Sequence, residues 1–391
     1  MRFLHLIGTM DPAAGGPTES VRLLLSDGYS GEVVSLDAPD AAYLRSYPFP
    51  VHALGPVSHR YGFSLKLNRW LRENVHRFDC VIVNGLWGYP GLAALDEVRG
   101  KLPYFVFAHG MLDPYFKHRF PLKHLKKWIY WLLVEYRVLV GADYVLFTSE
   151  AEARLARESF WLHRWRELIV PYGTGSPPDR TPAMREAFLD RCPEVRDRRF
   201  LLFFGRLHPK KGCDLLIEAF AKTAALDREL DLVMAGPDEV GWASQLQELA
   251  SRLGVADRIH WPGLLRDDAK YGALYMANAF VLPSHQENFG IAVAEALACG
   301  VPALLSDKVN IAAEVQADGA GLMQPDTLEG TEALLRGWLE LSPNQRNAMR
   351  IQALRTAEVR YRMDRTAAML VEKVRKAQRG HAAGRPRFSQ I

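Results

Sequence analysis

The chain is 391 residues long, 48% hydrophobic and 24% charged, with a formal net charge of +4. That length and apolar content fit two or three domains with a core each and exclude a globally disordered chain, while so small a charge does not suggest nucleic acid as a partner. Cys80, Cys192, Cys213 and Cys299 lie far apart with no paired spacing, which argues against a zinc cluster or a disulfide framework and fits a reducing, cytoplasmic setting.

The first residues reach Asp11 too soon for a signal peptide and read as a strand over 2–7. A loop over 10–18 with Gly15 and Gly16 leads into a helix over 19–25; strand, glycine turn and helix make a Rossmann-like opening. Short β-branched or aromatic runs at 33–36, 80–84, 104–108, 144–148 and 168–171 alternate with helical stretches. They predict a parallel sheet covered on both faces. Residues 173–199 hold Pro177, Pro178, Pro182 and Pro193 among charges and read as a linker with one short helix at most, between a domain over 1–172 and another over 200–360. The second series predicts strands at 200–204, 230–234, 259–261, 279–282 and 303–305, with helices at 214–223, 242–253, 270–276 and 291–299. A helical segment over 345–377 follows, and the basic tail over 379–391 reads as disordered. No apolar run approaches the ~20 residues that span a bilayer.

The richest stretch is 281–300, which carries Glu287 and Glu295. It reads as a strand end, a loop over 283–289, and a helix over 290–299 stopped by Gly300 and Pro302. The helix is apolar nearly all round, so Glu295 needs a hydrogen-bonding partner. The vicinal diol of a ribose offers two O–H donors to one carboxylate. Glu287 sits in the loop about one sugar length further along, and the backbone N–H groups of Asn288, Phe289 and Gly290 face any oxygen placed at the helix start.

Two glutamates with seven residues between them, inside Pro-Ser-x-x-Glu-x-Phe-Gly and Glu-Ala-Leu-Ala-Cys-Gly-x-Pro, resemble the signature of family 4 glycosyltransferases of the GT-B class. The resemblance implies an α/β chain of two Rossmann-like doubly wound parallel-sheet domains facing a central cleft, with 361–378 packing back on the first domain. It assigns Glu287 to the donor sugar and Glu295 to the nucleotide ribose. Gly205-Arg206-Leu207 with Lys211-Gly212 matches the family's pattern in which an Arg and a Lys hold the diphosphate, and it follows a strand, at the edge where open α/β sheets bind ligands. The His109-Gly110 pair matches a family histidine that faces the donor sugar, and Gly15-Gly16 matches a loop that lets backbone approach a ligand, although a plain tight turn explains two glycines as well. The resemblance places Gly236 and Leu264 in loops that would approach ribose and base. Asn84 and Trp87 follow a strand and line an acceptor pocket, or Trp87 is core; Asp113 before Pro114 lines the same pocket or opens a turn.

No two aspartates are separated by a single residue, so the metal-holding signature of the other large glycosyltransferase class is missing and no metal or cofactor is expected. The resemblance implies a retaining hexosyltransferase that moves a sugar from a UDP- or GDP-sugar to a hydroxyl of a glycan or lipid-linked acceptor, in polysaccharide or glycolipid synthesis. Two other readings stay open: a sugar-nucleotide 2-epimerase of the same architecture, and a non-catalytic sugar-binding protein. Residues 115–137 interleave six cations with aromatics against one acid, Glu135. They form either a peripheral docking segment for an anionic membrane or an amphipathic helix with core aromatics and solvated lysines.

Overall fold

The computed structural model describes residues 1–57, 61–115, 117 and 121–382. The chain forms two compact units, Met1–Gly175 together with the stretch from Met363, and Ser176–Arg362.

In the first unit, β1 (Phe3–Ile7), β2 (Gly31–Ser35), β3 (Val51–Ala53), β4 (Cys80–Asn84), β5 (Tyr104–Phe107), β6 (Tyr144–Phe147) and β7 (Glu167–Ile169) make one parallel sheet in the order β3-β2-β1-β4-β5-β6-β7. Every residue of β1, β4 and β5 is buried, as expected of parallel strands covered on both faces. The strand β3 was not expected: its three residues are only half-buried, and His52 interrupts any apolar run. The register pairs Ile7 with Asn84 and Asn84 with Phe107. The segments after these strands therefore leave from one edge, and the order reverses between β1 and β4, where open sheets bind ligands.

The second unit repeats the plan. Its strands β8 (Arg199–Phe204), β9 (Leu230–Ala235), β10 (Ile259–Gly263), β11 (Ala279–Leu282), β12 (Ala303–Ser306) and β13 (Gly321–Gln324) run parallel in the order β10-β9-β8-β11-β12-β13. Here the reversal falls between β8 and β11. The edge strand β13 ends exposed and was not predicted.

Three boundaries differ from the sequence reading. Residues 173–199 are more than a linker, because Pro182–Leu189 is a helix capped by Thr181 that buries Met184, Phe188 and Leu189. It packs on the helix Asp267–Met276 so closely that a Cβ on Gly272 would stand 2.0 Å from the Met184 carbonyl oxygen. Pro182 and Pro193 each occupy a first helical turn, where the missing N–H costs nothing. The helical segment over 345–377 is two helices, Pro343–Arg360 and Met363–Ala382. The second belongs to the first unit: Met363 N donates to Thr174 O at 3.1 Å, Thr366 Oγ1 to Pro171 O at 3.0 Å, and Ala367 lies against Gly28. It runs through Ala382, past the expected start of the tail; 383–391 lie outside the described residues. Among the described residues, no helix is long and apolar enough to cross a membrane.

Candidate functional site

At the carboxyl edge of the six-stranded sheet, backbone hydrogen bonds lace three loops together. Gly205 N donates to Ala235 O, Leu207 N to Pro237 O, and Gly236 N to Gly263 O, each at 2.9 Å. A Cβ on Gly236 would stand 1.7 Å from the Gly205 carbonyl oxygen, so only glycine permits this approach. The chain then turns through Pro209–Lys211, where His208 Nδ1 accepts from Lys210 N at 3.0 Å, to Gly212 in the left-handed region at φ +65°. Gly212 lies against the Pro283 carbonyl, and His285 N donates to Lys210 O at 2.9 Å, which brings the Lys211 turn onto the loop after β11.

That contact places Lys211 Nζ on Glu287 Oε2. The Glu287 backbone is itself pinned, its N donating to Lys308 O at 3.0 Å and its O accepting from Asn310 N at 3.1 Å. Burial works to raise the Glu287 carboxyl, but the Lys211 ammonium, helped by Lys210 and Arg206, outweighs it and holds the group below the ordinary carboxylate range. Arg206 pairs with Glu239 at 3.1 Å, both about half exposed. Glu295, on the helix Ile291–Ala298 that Gly290 caps at φ +78°, meets Lys270 Nζ at 2.6 Å. The partner its burial demanded is thus a lysine of the 267–276 helix. Asn288 Oδ1 accepts from Asn310 Nδ2 at 3.4 Å, Phe289 is buried edge-on to Tyr361 at 5.4 Å, and Leu264 is exposed just after β10. Phe289 can serve a ligand only through its backbone.

Among the described residues, the edge of the seven-stranded sheet carries no carboxylate–lysine ion pair of this kind; its buried Asp37, just after β2, is held instead by Met10 N at 2.7 Å and by the Thr9 and Tyr43 hydroxyls. His109, at φ +51°, is buried and stacked on Phe107 with ring centroids 4.5 Å apart. Its Nδ1 bonds the Tyr172 hydroxyl and its Nε2 faces Asn84 Oδ1 at 3.3 Å. Asn84 Nδ2 in turn reaches His5 Nδ1 at 3.1 Å, and His5 Nε2 reaches the Tyr29 hydroxyl at 2.9 Å. With Asn84 donating through its amide nitrogen, donors run one way along the chain from Tyr172 to Tyr29, which assigns the Nε2–H tautomer to both histidines. Burial lowers both imidazoles to about 3, so both are neutral. Both ring nitrogens of His109 are engaged within this unit. The loop is held by Glu152, which accepts from Gly110 N at 2.5 Å and from Thr148 N at 2.6 Å.

Beside this network is a cavity of about 400 Å³ whose lining includes Thr9, Thr18, Tyr61, Asn84 and Trp87. Trp87 is fixed at φ +68°, its N donating to Glu135 Oε2 at 2.8 Å and its indole Nε1 to Met111 O at 3.3 Å, with Lys127 Nζ 4.3 Å over its ring. Burial raises the Glu135 carboxyl to about 7 against the pull of the Trp87 N–H and Lys127. Gly15, at φ +86°, and Gly16 do not line the same cavity themselves, but their neighbours Ala14, Pro17 and Thr18 do. Asp113 Oδ1 accepts from Tyr115 N at 2.8 Å, the turn-forming role. Among the described residues, no group of three or more His, Cys, Asp or Glu side chains is placed to hold a metal ion.

Comparison with known proteins bears on both edges. The family model for "Glycosyl transferases group 1" matches residues 185–355, and that for "Glycosyl transferase 4-like domain" matches residues 18–173. The chain belongs to the group 1 glycosyltransferases. D-inositol 3-phosphate glycosyltransferase of Kineococcus radiotolerans is 30% identical over 272 residues, covering 64% of this chain and 61% of that protein. The protein of the same name from Geodermatophilus obscurus is 34% identical over 179 residues, 43% of this chain and 39% of that one. The chain therefore spans less than two thirds of the length of either relative. Among solved structures, Anabaena Alr3699/HepE in complex with UDP and glucose has a TM-score of 0.74 at 17% identity, over 96% of this chain and 99% of that one. Sucrose-phosphate synthase from Thermosynechococcus elongatus has a TM-score of 0.72 at 20% identity, over 97% and 100%. These likenesses show the fold, which is GT-B.

In this group 1 glycosyltransferase the structure brings Gly205, Arg206, Lys211, Gly236, Leu264, Glu287, Asn288, Phe289, Gly290 and Glu295 to one sheet edge, and Gly15, Gly16, Asn84, Trp87, His109 and Asp113 to loops of the other unit. Sequence reasoning missed Lys270, His5, Tyr172, Glu135 and Glu152. Two left a trace: Lys270 as the one cation in the helix Asp267–Met276, and Glu135 as the one acid of 115–137, though neither pointed to its partner.

Proposed function

We propose that the chain transfers a glycosyl group from a nucleoside diphosphate sugar, UDP- or GDP-linked, to a hydroxyl of a glycan or lipid-linked acceptor, with retention and without a metal. The observation that carries this reading is the pair of fixed carboxylates, Glu287 on Lys211 and Glu295 on Lys270, beside the β8/β11 reversal. The Alr3699/HepE structures with UDP and with UDP-glucose support it by analogy.

Glu295, held in place by Lys270, accepts the two ribose hydroxyls. Glu287, kept ionised by Lys211, accepts a hydrogen bond from a donor-sugar hydroxyl and is unsuited to donate a proton. An ammonium has three donors, so Lys211 bridges Glu287 and a phosphate oxygen. The Arg206–Glu239 pair is exposed and worth about 0–1 kcal/mol, so the guanidinium exchanges Glu239 for phosphate at little cost. Each cation within ~4 Å of the diphosphate contributes about 4 kcal/mol in Coulomb terms before desolvation, and this falls on the leaving group as the sugar–phosphate bond breaks. The acceptor hydroxyl attacks the same face and gives its proton to a phosphate oxygen. The neutral Tyr29-to-Tyr172 chain holds Asn84 at the wall of the cavity that receives the acceptor.

Thermal shift with UDP, GDP, ADP and dTDP, then turnover of the matching sugars in EDTA, tests the reading. The expected result is stabilisation by UDP or GDP that Glu295→Ala removes, and acceptor-dependent release of the nucleoside diphosphate that survives EDTA. Activity lost in EDTA and restored by Mn would replace the metal-free mechanism. Epimerised donor sugar formed without acceptor would replace the transfer reading.

A further inference from the structure

The helix Pro121–Tyr130 and the π-helical turn Trp131–Glu135 sort their side chains onto two faces. The aromatics turn inward: Trp131 is fully buried and stacks on Phe160 at 4.5 Å, Trp128 meets Phe160 edge-on at 5.2 Å, and Tyr130 meets Tyr61 at 5.7 Å. Lys127 goes with them, over Trp87. What remains outside is aliphatic. Leu122, Leu125 and Ile129 are 79%, 66% and 67% exposed, and Leu132 and Leu133 extend the stripe at steps of three and four residues. Trp161, 77% exposed, adjoins it edge-on to Trp128 at 5.5 Å. One exposed aliphatic side chain needs no explanation, but four leucines and an isoleucine on one helical face beside a tryptophan do.

The same surface is cationic. Lys123, Lys126 and Arg137 are exposed along the segment and Arg164 is exposed beyond Trp161, while the single acid of 121–137, Glu135, is buried on the Trp87 backbone. This sorting matches the second of the two readings of the segment, an amphipathic helix with core aromatics and solvated lysines, except that Lys127 is internal. The aromatics and Lys127 are internal, and the outer face is leucine, isoleucine and two lysines. Phe116, His118, Arg119 and Phe120 lie outside the described residues.

We propose that this face docks on an anionic bilayer, its leucines at the boundary of headgroups and acyl chains and its cations on lipid phosphates. Charge complementarity favours lipid over a second copy of the chain: a symmetric dimer through the stripe would bring the same cations together with no acid of the stripe to meet them. The proposal goes beyond the transfer chemistry and does not depend on it.

Co-sedimentation of the full chain with phosphatidylcholine vesicles, with and without phosphatidylglycerol, tests it. Binding should require phosphatidylglycerol and fall about tenfold or more from low to high salt. Leu125→Glu with Ile129→Glu, and separately Lys123→Glu with Lys126→Glu, should each lower binding about tenfold or more while leaving the melting temperature by circular dichroism unchanged, since all four side chains are exposed. No binding by the parent chain, or either double variant binding as the parent does, overturns the proposal. So does a parent chain that self-associates without lipid and becomes monomeric on Leu125→Glu with Ile129→Glu, which makes the face a subunit interface.

Discussion

At the carboxyl edge of the six-stranded sheet, Glu287 and Glu295 are each held against a lysine, whereas at that of the seven-stranded sheet His5, Asn84 and His109 are neutral and satisfy one another. The two edges occupy the same topological position and both must place polar groups where water is scarce. Charged pairs keep strong fields available for exchange with a charged ligand, at the cost of desolvation that only a good partner offsets. A neutral hydrogen-bonded chain fixes geometry without a field. Under the proposed transfer reading, the charged edge would take the nucleoside diphosphate and the neutral one the acceptor hydroxyl.

The largest test of the first edge is Gly236→Ala. Because the new Cβ would meet a backbone oxygen, which cannot swing aside, the loops must part, and a loss of about 3 kcal/mol or more in urea unfolding is expected. A loss under about 1 kcal/mol would mean the loops are less tightly laced than the hydrogen bonds imply.

Lys211→Met comes next, and it separates two roles. It leaves Glu287 mostly buried without its cation, so stability falls, and turnover should drop ~10²-fold or more if Lys211 also serves the leaving diphosphate. Adding Glu287→Gln removes the stranded charge and should restore the melting temperature but not turnover. Restoration of both would reduce the pair to a structural ion pair.

The neutral edge is probed by acid. His5 and His109 titrate at about 3 in the fold against an ordinary 6.5, so from pH 6.5 downward the unfolded chain takes up protons that the fold refuses. Stability is full above 6.5 and falls by about 1.4 kcal/mol per pH unit for each histidine, or about 2 kcal/mol each at pH 5. Glu287 is depressed instead, so its contribution is present above its unfolded value and is lost only as pH falls below that carboxylate range. Glu135, raised to about 7 in the same unit, works the other way, gaining stability as pH falls from 7 toward the ordinary carboxylate range and offsetting about one histidine. Hydrogen exchange corrected for intrinsic rates should therefore show a net loss of protection in the first unit between pH 6.5 and about 5 while the second keeps it. Equal loss in both units would erase the contrast.

How much of this was legible follows from chain distance. Glu287, Gly290 and Glu295 share one local pattern, and Arg206 and Lys211 share another, so residue type and spacing together pointed to one sheet edge. The neutral chain joins Tyr29, His5, Asn84, His109 and Tyr172, each contact spanning 24 to 79 positions. No local pattern marks it, and a lone histidine after a strand says nothing about which way its ring turns. The parallel strands were visible as continuous apolar runs, while β3 and β13, half-buried at sheet edges, were not. The one short helix allowed within 173–199 is Pro182–Leu189, but its prolines read as breaks and left its bounds and its packing unmarked until the first-turn position is known. Composition alone likewise cannot say that Trp128 and Trp131 face in and Leu125 and Ile129 face out.

The smallest structural effect is expected at Gly16, and it asks whether glycines at the two edges do the same work. A Cβ on Gly16 meets nothing within 4 Å, and the residue opens the helix Gly16–Leu23 without the positive φ of Gly15. Gly16→Ala should therefore change stability by no more than about 0.5 kcal/mol, in contrast to Gly236→Ala. Its neighbours Pro17 and Thr18 line the cavity, so a methyl group there adds bulk next to the space that a bound ligand would fill. The expected outcome is an unchanged melting temperature with kcat/KM lowered about tenfold, as for a contact made only in the complex. If kcat/KM is also unchanged, Gly15-Gly16 is an ordinary tight turn, and the close-approach role of glycine belongs to the six-stranded edge alone.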